Sequence, residues 1–430
     1  MVDAPSRQEH RFDVMYRTWL SSEERAPLRR ILETLRGARV WIVGGAVRDL
    51  LSRVPSDDVD LATDMTPEEV MDRFGDRAIP TGIRFGTVTV MASGQPFEVT
   101  TLRSERGYGD GRRPTEVEWG TQIEEDLARR DLTINAMAID VSTGKLIDPY
   151  GGMEDLRHRR LRAVGDPEQR LSEDGLRILR AYRFMDAGPH RMVPDEGLRH
   201  ALATHADMLD RISKERIWTE FRRILSGIDP SGTLHRMQVD GALGHVLPEC
   251  ILDVDALMHL GDGPSDALLR LTVLTWRTPV DHLRSVLKAL TLSNAQLAVP
   301  LRLRKGIAMS LPSNQGERRR HRVLLGEDLD AVMRVRAATV DRFAEDDRRE
   351  RREALLGTSE PLAGAGRLFD GRWVMDRTGL GSGIRLGRLM AWLHREQVDR
   401  DLSTLEEIEA VLCTLPWQHG DPEEWPRMDI

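Results

Sequence analysis

The sequence predicts an α/β head built on a mixed β-sheet, followed by an all-α neck, body and tail. Three observations carry that prediction. Short β-rich runs alternate with helical stretches between residues 40 and about 155, and amphipathic helical patterns fill the chain after Gly165. The 430 residues also exceed the roughly 250–300 at which single cores stop growing, so two or more domains are expected.

Residues 1–38 place Leu28, Ile31, Leu32 and Leu35 at helical spacing with Gly37 as a stop, and read as a helical appendage. The head is expected over 39–160, with strands at 40–43, 59–62, 86–91 and 97–101. A neck follows over 161–228, a helical body over 229–356 and a helical tail over 357–430, with breaks at Gly188-Pro189, Asp229-Pro230-Ser231-Gly232, Pro312 and the glycine-rich run 357–366. No period of 20–50 residues marks a solenoid. The charged run 345–352 mixes both signs at helical spacing and reads as a solvated helix face.

With 31% charged and 40% hydrophobic residues, the composition is that of an ordinary globular chain and excludes wholesale disorder. Cys250 and Cys413 form neither a CxxC pair nor a ligand spacing, so neither a disulfide framework nor a zinc site is expected. Glu9, Arg11 and Asp13 have no apolar run behind them and no stretch is long enough to span a bilayer, which predicts a cytoplasmic protein without a membrane or protein partner. The net charge of −8 argues against a uniformly basic nucleic-acid binder. Locally the picture reverses. Arg157, Arg159, Arg160, Arg162, Arg170, Arg177, Arg180 and Arg183 cluster in a chain with only four lysines. Arginine offers a planar fork to phosphates and base edges that lysine lacks, although codon bias in a GC-rich genome accounts equally well for the excess.

Several short segments carry chemistry. Gly44 and Gly45 sit at a strand-to-helix turn where backbone amides approach a phosphate closely, with Arg48 reaching the same anion. The plain alternative is a tight turn. In Asp57-Asp58-Val59-Asp60, a strand would put Asp58 and Asp60 on one face, where a cation such as magnesium must offset their repulsion. Surface acids are the alternative. Glu98, between Phe97 and Val99, faces away from both and is a third candidate carboxylate for a two-metal site, or simply an exposed strand residue. Arg130, in Arg129-Arg130-Asp131, stands at a turn as a phosphate ligand or as a helix-end ion pair.

Asp174, Arg177 and Arg180 recur at i, i+3 and i+6 and would share one helical face. A carboxylate only accepts and a guanidinium only donates. Cytosine and adenine each present an amino group beside an unprotonated ring nitrogen, whereas uracil and guanine present a carbonyl beside an N–H. Asp174 accepting and Arg177 donating would therefore admit C and A and reject U and G. An intrahelical salt bridge is the alternative.

Taken in this order, GGAVRD, DVD, the GTVTV strand, RRDLTINA, the DPYGG turn at 148–152 and EDGLRILRAYRF resemble the class II tRNA nucleotidyltransferase and bacterial poly(A) polymerase family of the DNA polymerase β superfamily, over residues 40–225. The resemblance implies that Gly45, Arg48 and Arg130 contact nucleotide phosphates and that Asp58 and Asp60 bind Mg2+. It implies Glu98 as the third carboxylate, Asp174 and Arg177 as the base selector, and Arg180 and Arg183 beside the nucleotide. The stretch 81–88 is similar to CCA-adding members rather than to poly(A) polymerases. The segment 103–114, with Tyr108, Arg112 and Arg113, resembles the loop that members adding the final A retain. The expected activity is addition of C and A from CTP and ATP to the tRNA 3′ end without a template. The rivals are an A-adding-only enzyme, a poly(A) polymerase and a non-catalytic RNA-binding module. No histidine is followed by Asp, so the phosphohydrolase domain of some relatives is not expected. The tail from Asp370 through Gly379, Gly381, Gly383 and Gly387 to Trp392 resembles the family's helical tail, which holds the tRNA elbow, or its glycines are turns between helices.

Overall fold

The computed structural model describes residues 15–55, 58–106, 116–120, 122–186, 191–260, 266–342 and 346–428. The chain divides into two units, Met1–Pro248 and Glu249–Ile430. Residues 229–248, expected in the body, thus go with the N-terminal unit.

The head sheet has seven strands in the order β3-β4-β5-β2-β1-β8-β9. They are β1 (Val40–Val43), β2 (Asp60–Thr63), β3 (Ala78–Gly82), β4 (Thr87–Ala92), β5 (Gln95–Thr101), β8 (Ala138–Asp140) and β9 (Leu146–Ile147). Only β2 and β5 run parallel and the other pairs are antiparallel, so the sheet is mixed as expected. A separate antiparallel pair, β6 (Arg103–Arg106) and β7 (Glu116–Trp119), follows β5 in the chain. Tyr108, Arg112 and Arg113 of the expected loop lie outside the described residues.

Period-two alternation sorts the strand residues onto two faces. Ile42, Leu61, Val88, Val90, Val99 and Ile139 point into the main core. Against them pack Leu28 and Ile31 of α1 (Ala26–Thr34), Val47 and Leu50 of α2 (Gly45–Ser52), and Val70 and Phe74 of α3 (Pro67–Phe74). Each such side chain contributes about 1.5–3 kcal/mol by leaving water. The N-terminal segment is therefore not an appendage. Tyr16, Leu28, Ile31 and Leu35 are all buried in the head core, because the apolar face of the sheet would otherwise stand exposed. On the opposite face a smaller cluster joins Trp41, Val43, Ala62 and Leu102 to Ile123 and Leu127 of α4 (Ile123–Ala128).

Beyond the head come α5 (Gly152–His158), β10 (Arg160–Leu161), α6 (Pro167–Glu173), α7 (Leu176–Met185), β11 (Val193–Pro194), α8 (Glu196–Thr204) and α9 (Lys214–Leu225). The short parallel pair β10–β11 is a strand contact where only helices were expected. A further correction concerns the predicted reader helix. Asp174 is not on it: α6 ends at Glu173, Asp174 is extended (φ −147°, ψ 108°) and α7 opens at Leu176. The break is at Asp174 itself; Gly175 is already in helical geometry (φ −58°, ψ −19°) and is crowded, since a Cβ there would lie 2.7 Å from the Met208 carbonyl oxygen.

The second unit is helical. Its tail has a core of its own, where Val374, Leu386, Leu389 and Leu393 meet Ile408, Val411 and Trp425. Gly379 ends one tail helix in the left-handed region, whereas Gly387 lies inside the helix Ile384–Arg400 and forms no turn. Among the described residues no helix is long and apolar enough to cross a membrane. Cys250 is half-buried and Cys413 exposed, and neither is in a disulfide.

Candidate active site

A cleft of about 620 Å³ opens in the first unit, lined by seven arginines and four aspartates together with Gly44, Gly45, Asn135, Leu176 and Phe184. Its floor is the turn after β1. Gly44 has φ +69°, a conformation that favours glycine, and a Cβ there would stand 2.7 Å from Nη1 of Arg130. Helix α2 begins at Gly45 without a side-chain cap, leaving first-turn amides for an anion. Arg48, one turn on, donates from Nη1 to Oδ1 of Asn135 (2.6 Å) and from Nη2 to Asp49 (2.8 Å). Its guanidinium lies 4.9 Å from the Phe184 ring centre.

The sheet register assembles the acids. Leu61 pairs with Val99 across parallel strands, so Asp60 and Glu98, each one residue earlier, are neighbours on the same face. Asp58 precedes β2 by two residues and is exposed, as is Glu98, while Asp60 is half-buried. Burial, reinforced by repulsion from Asp58 and Glu98, pushes the Asp60 carboxyl up to about 6, against the opposing pull of Arg130 and Arg180. Asp58 and Asp60 line the cleft; Glu98 stands beside them on the sheet, outside the lining. Among the described residues no three His, Cys, Asp or Glu side chains converge tightly enough to hold an ion by themselves.

Arginines line the same cleft, each paired with an acid. Arg180 Nε donates to Oδ2 of buried Asp131 (2.6 Å). Although burial opposes its charge, Asp131 is held well below the usual carboxylate range by Arg180, with further hydrogen bonds from Asn135 and the Leu132 amide. Arg183 pairs with Glu220 (3.1 Å), and Arg130 with Asp126 (3.3 Å). Arg177 donates to Glu173 (2.5 Å), to the Arg170 carbonyl (2.9 Å) and to the Arg129 carbonyl (3.0 Å). Two of the five guanidinium N–H groups remain for a ligand.

Asp174 accepts from the Leu176 amide on Oδ1 (3.0 Å) and from Arg216 on Oδ2 (2.8 Å). The intrahelical Asp174–Arg177 salt bridge is thus not the arrangement. Each carboxylate oxygen keeps a lone pair for an incoming donor. Asp174 and Arg177 both face the cleft that Asp58 and Asp60 line. The Gly44-Gly45 turn, the acid pair and the Asp174/Arg177 pair thereby share one cavity.

Sequence reasoning missed Asn135, Asp131, Phe184, Arg216, Glu220 and Arg223. One signal was available for three of them. Arg216, Glu220 and Arg223 repeat at i, i+4 and i+7 on α9, a polar stripe on a helix that buries Ile217, Trp218, Phe221, Ile224 and Leu225.

Residues 40–162 match the family described as the poly A polymerase head domain, and residues 192–251 match one described as a probable RNA and SrmB-binding site of polymerase A. The CCA-adding enzyme of Enterococcus faecalis is 37% identical over 298 residues, 68% of this chain and 72% of that protein. That of Lactobacillus delbrueckii subsp. bulgaricus is 35% identical over 370 residues, 84% of this chain and 90% of that protein. Among solved structures, the Bacillus stearothermophilus CCA-adding enzyme in complex with CTP superposes with a TM-score of 0.70 at 28% identity, covering 91% of this chain and 97% of that one. The Thermotoga maritima CCA-adding enzyme complexed with tRNA shares the fold, with a TM-score of 0.68 at 20% identity over 94% of this chain and 98% of that one. With relatives of this similarity matched along most of their length, the chain belongs to the family of CCA-adding enzymes.

Proposed function

We propose that this chain completes the 3′ CCA end of tRNA, adding C and A from CTP and ATP in the cytoplasm without a nucleic-acid template. The observation that carries the reading is the placement of Asp174 and Arg177, an acceptor beside a donor, in the cleft that Asp58 and Asp60 line. That pair of groups complements C and A, and the acid pair supplies the means of nucleotidyl transfer.

The residues fit a divalent cation. Asp60 is half-buried among like charges, which raises its carboxyl to about 6 and makes an oxygen-seeking cation the natural neutraliser. Magnesium takes one or two protein carboxylates and fills its remaining positions with phosphate and water, which suits a site with Asp58 and Asp60 on an open cleft. Asp58 and Asp60 would hold Mg2+, with Glu98 as the adjoining third carboxylate. When bound, it neutralises charge on the triphosphate and lowers the pKa of the attacking hydroxyl.

The chain's own groups do the rest. First-turn amides at Gly45, with Arg48, Arg130, Arg180 and Arg183, bind and orient the triphosphate. Asp174 and Arg177 fix the base. The tRNA 3′-hydroxyl gives up its proton to water and its oxygen forms a bond to the α-phosphorus in line with departure of pyrophosphate, so that a phosphodiester replaces the α–β anhydride. Locked donors hold that geometry and reduce the reorganisation the transition state requires.

The test offers tRNAs ending before CCA, after C and after CC to the protein with CTP, ATP or both, and sequences the products. Completion to CCA and no further is expected. Addition of A to the CC-ended tRNA with no C addition anywhere would mark an A-adding enzyme, and long A tails on unrelated RNA a poly(A) polymerase. Retained transfer in Asp58→Ala would refute the assignment of the acid pair.

A further inference from the structure

We propose that Arg216 is a specificity-positioning residue, the cation on α9 that locks the Asp174 carboxylate in the orientation a base amino group requires. The proposal rests on the reading of Asp174 and Arg177 as the base selector and names the part that makes the selection strict.

Asp174 lies in the break between α6 and α7, in extended backbone, so no helical ladder fixes its side chain. Two bonds do. The Leu176 amide holds Oδ1 at 3.0 Å, and Nη2 of Arg216 holds Oδ2 at 2.8 Å across 42 residues of sequence. Arg177, the nearest local alternative, is turned to Glu173 and to two carbonyls. Arg216 is thereby the tether that keeps acceptor and donor apart as separate features. Without it the carboxylate is free to swing, and the pair can collapse into an ion pair that reads nothing.

The setting of Arg216 supports a role at the site rather than in the scaffold. It lines the cleft, and beside the Nη2 that holds Asp174 its Nη1 is buried without a hydrogen-bond partner. The helix beneath is rigidly seated, with Ile217, Phe221, Ile224 and Leu225 fully buried. One turn on, Glu220 grips Arg183 (3.1 Å) and Arg223 (2.8 Å), so the same stripe of α9 holds more than one arm of the cleft.

Acceptance and rejection depend on the tether unequally. C and A can draw a loose carboxylate to their amino group as they bind. U and G are rejected only if the carboxylate cannot move away from their carbonyl. Loss of Arg216 should therefore weaken discrimination more than turnover.

The experiment measures single-nucleotide addition with each of the four nucleotides on tRNAs ending before CCA and after CC, for the native protein, Arg216→Gln and Arg216→Lys, with a thermal melt of each. In Arg216→Gln the U-to-C and G-to-A ratios of kcat/KM should rise at least about tenfold, with KM for CTP and ATP affected more than kcat. Arg216→Lys, which keeps a cation within reach of Asp174, should recover most of that selectivity. A uniform fall for all four nucleotides with unchanged ratios, or a lowered Tm with unchanged ratios in both variants, would overturn the proposal. Should Arg216→Gln not fold, Arg216→Met, which keeps the length of the side chain and removes its charge, takes its place: raised U-to-C and G-to-A ratios support the tether, and native ratios overturn it. A native protein indifferent to base identity would instead defeat the reading of Asp174 and Arg177 itself.

Discussion

Asp60→Asn should make the metal-free protein more stable while abolishing its activity. The Asp60 carboxyl ionises near pH 6 in the folded protein, against 3.8 for an ordinary aspartate, chiefly because of burial and then because of Asp58 and Glu98. At about 1.36 kcal/mol per pH unit, that difference makes the ionised carboxylate cost up to about 3 kcal/mol of folding free energy. Partial solvent exposure reduces the figure, so a gain of about 1–3 kcal/mol is expected when the charge is removed by a side chain of the same shape. The cost is absent below pH 3.8, where both states carry the proton. It grows as the pH rises towards 6 and is complete above that. Calorimetric scans in EDTA should therefore show the first unit of Asp60→Asn melting roughly 3–8 °C above the native protein at pH 7.5, with the gap closing between pH 6 and pH 4. Adding Mg2+ should raise the native Tm and leave that of the variant in place. Equal or lower stability of the variant at pH 7.5 in EDTA would show that the acid pair carries no unrelieved repulsion, and the argument for a cation there would lose its physical basis.

Three other perturbations test separate parts of the site and fold. Gly44→Ala forces a side chain into φ +69° and against Arg130, which should cost about 1–3 kcal/mol in denaturant melts and raise KM for CTP and ATP together. Asp131→Asn leaves Arg180 without its buried anionic partner; about 3 kcal/mol of stability should go by urea titration, with KM rising for both nucleotides and base preference unchanged. Leu28→Ala should destabilise the head by about 2–5 kcal/mol, and an unchanged melt would restore residues 15–36 to the status of an appendage.

The strands of the head were legible because alternation is a local signal: Val88, Val90 and Ala92 face inward and Thr87, Thr89 and Met91 outward, as a half-buried strand requires. The candidate site residues stood out for a different reason. Gly45, Asp58, Asp60, Arg130 and Arg177 lie within short segments whose chemistry can be read without knowing what faces them. What the sequence hid is the pairing between segments. Asp131 grips Arg180 from 49 residues away and Arg216 grips Asp174 from 42, and no local pattern encodes such a match. Helical spacing misled in one place, where Asp174, Arg177 and Arg180 look like one face. Asp174 is extended and the helix opens only at Leu176, where Gly175 packs against Met208, a constraint that exists only once the chain has folded.

Those long-range pairings also explain how a chain of net charge −8 handles RNA. An arginine-rich cleft left to itself would splay through mutual repulsion, and each side chain would lose rotamer freedom as a nucleotide bound. Here Glu173, Asp131 and Glu220 anchor Arg177, Arg180 and Arg183 before any ligand arrives. The acids lower the net positive potential, which disfavours indiscriminate capture of polyanions, yet they leave the unspent N–H groups fixed in space. Selection then depends on where donors and acceptors stand and less on how much charge the cleft holds. The bond from Arg216 to Asp174 applies the same device in reverse, an arginine fixing an acid that the cleft exposes.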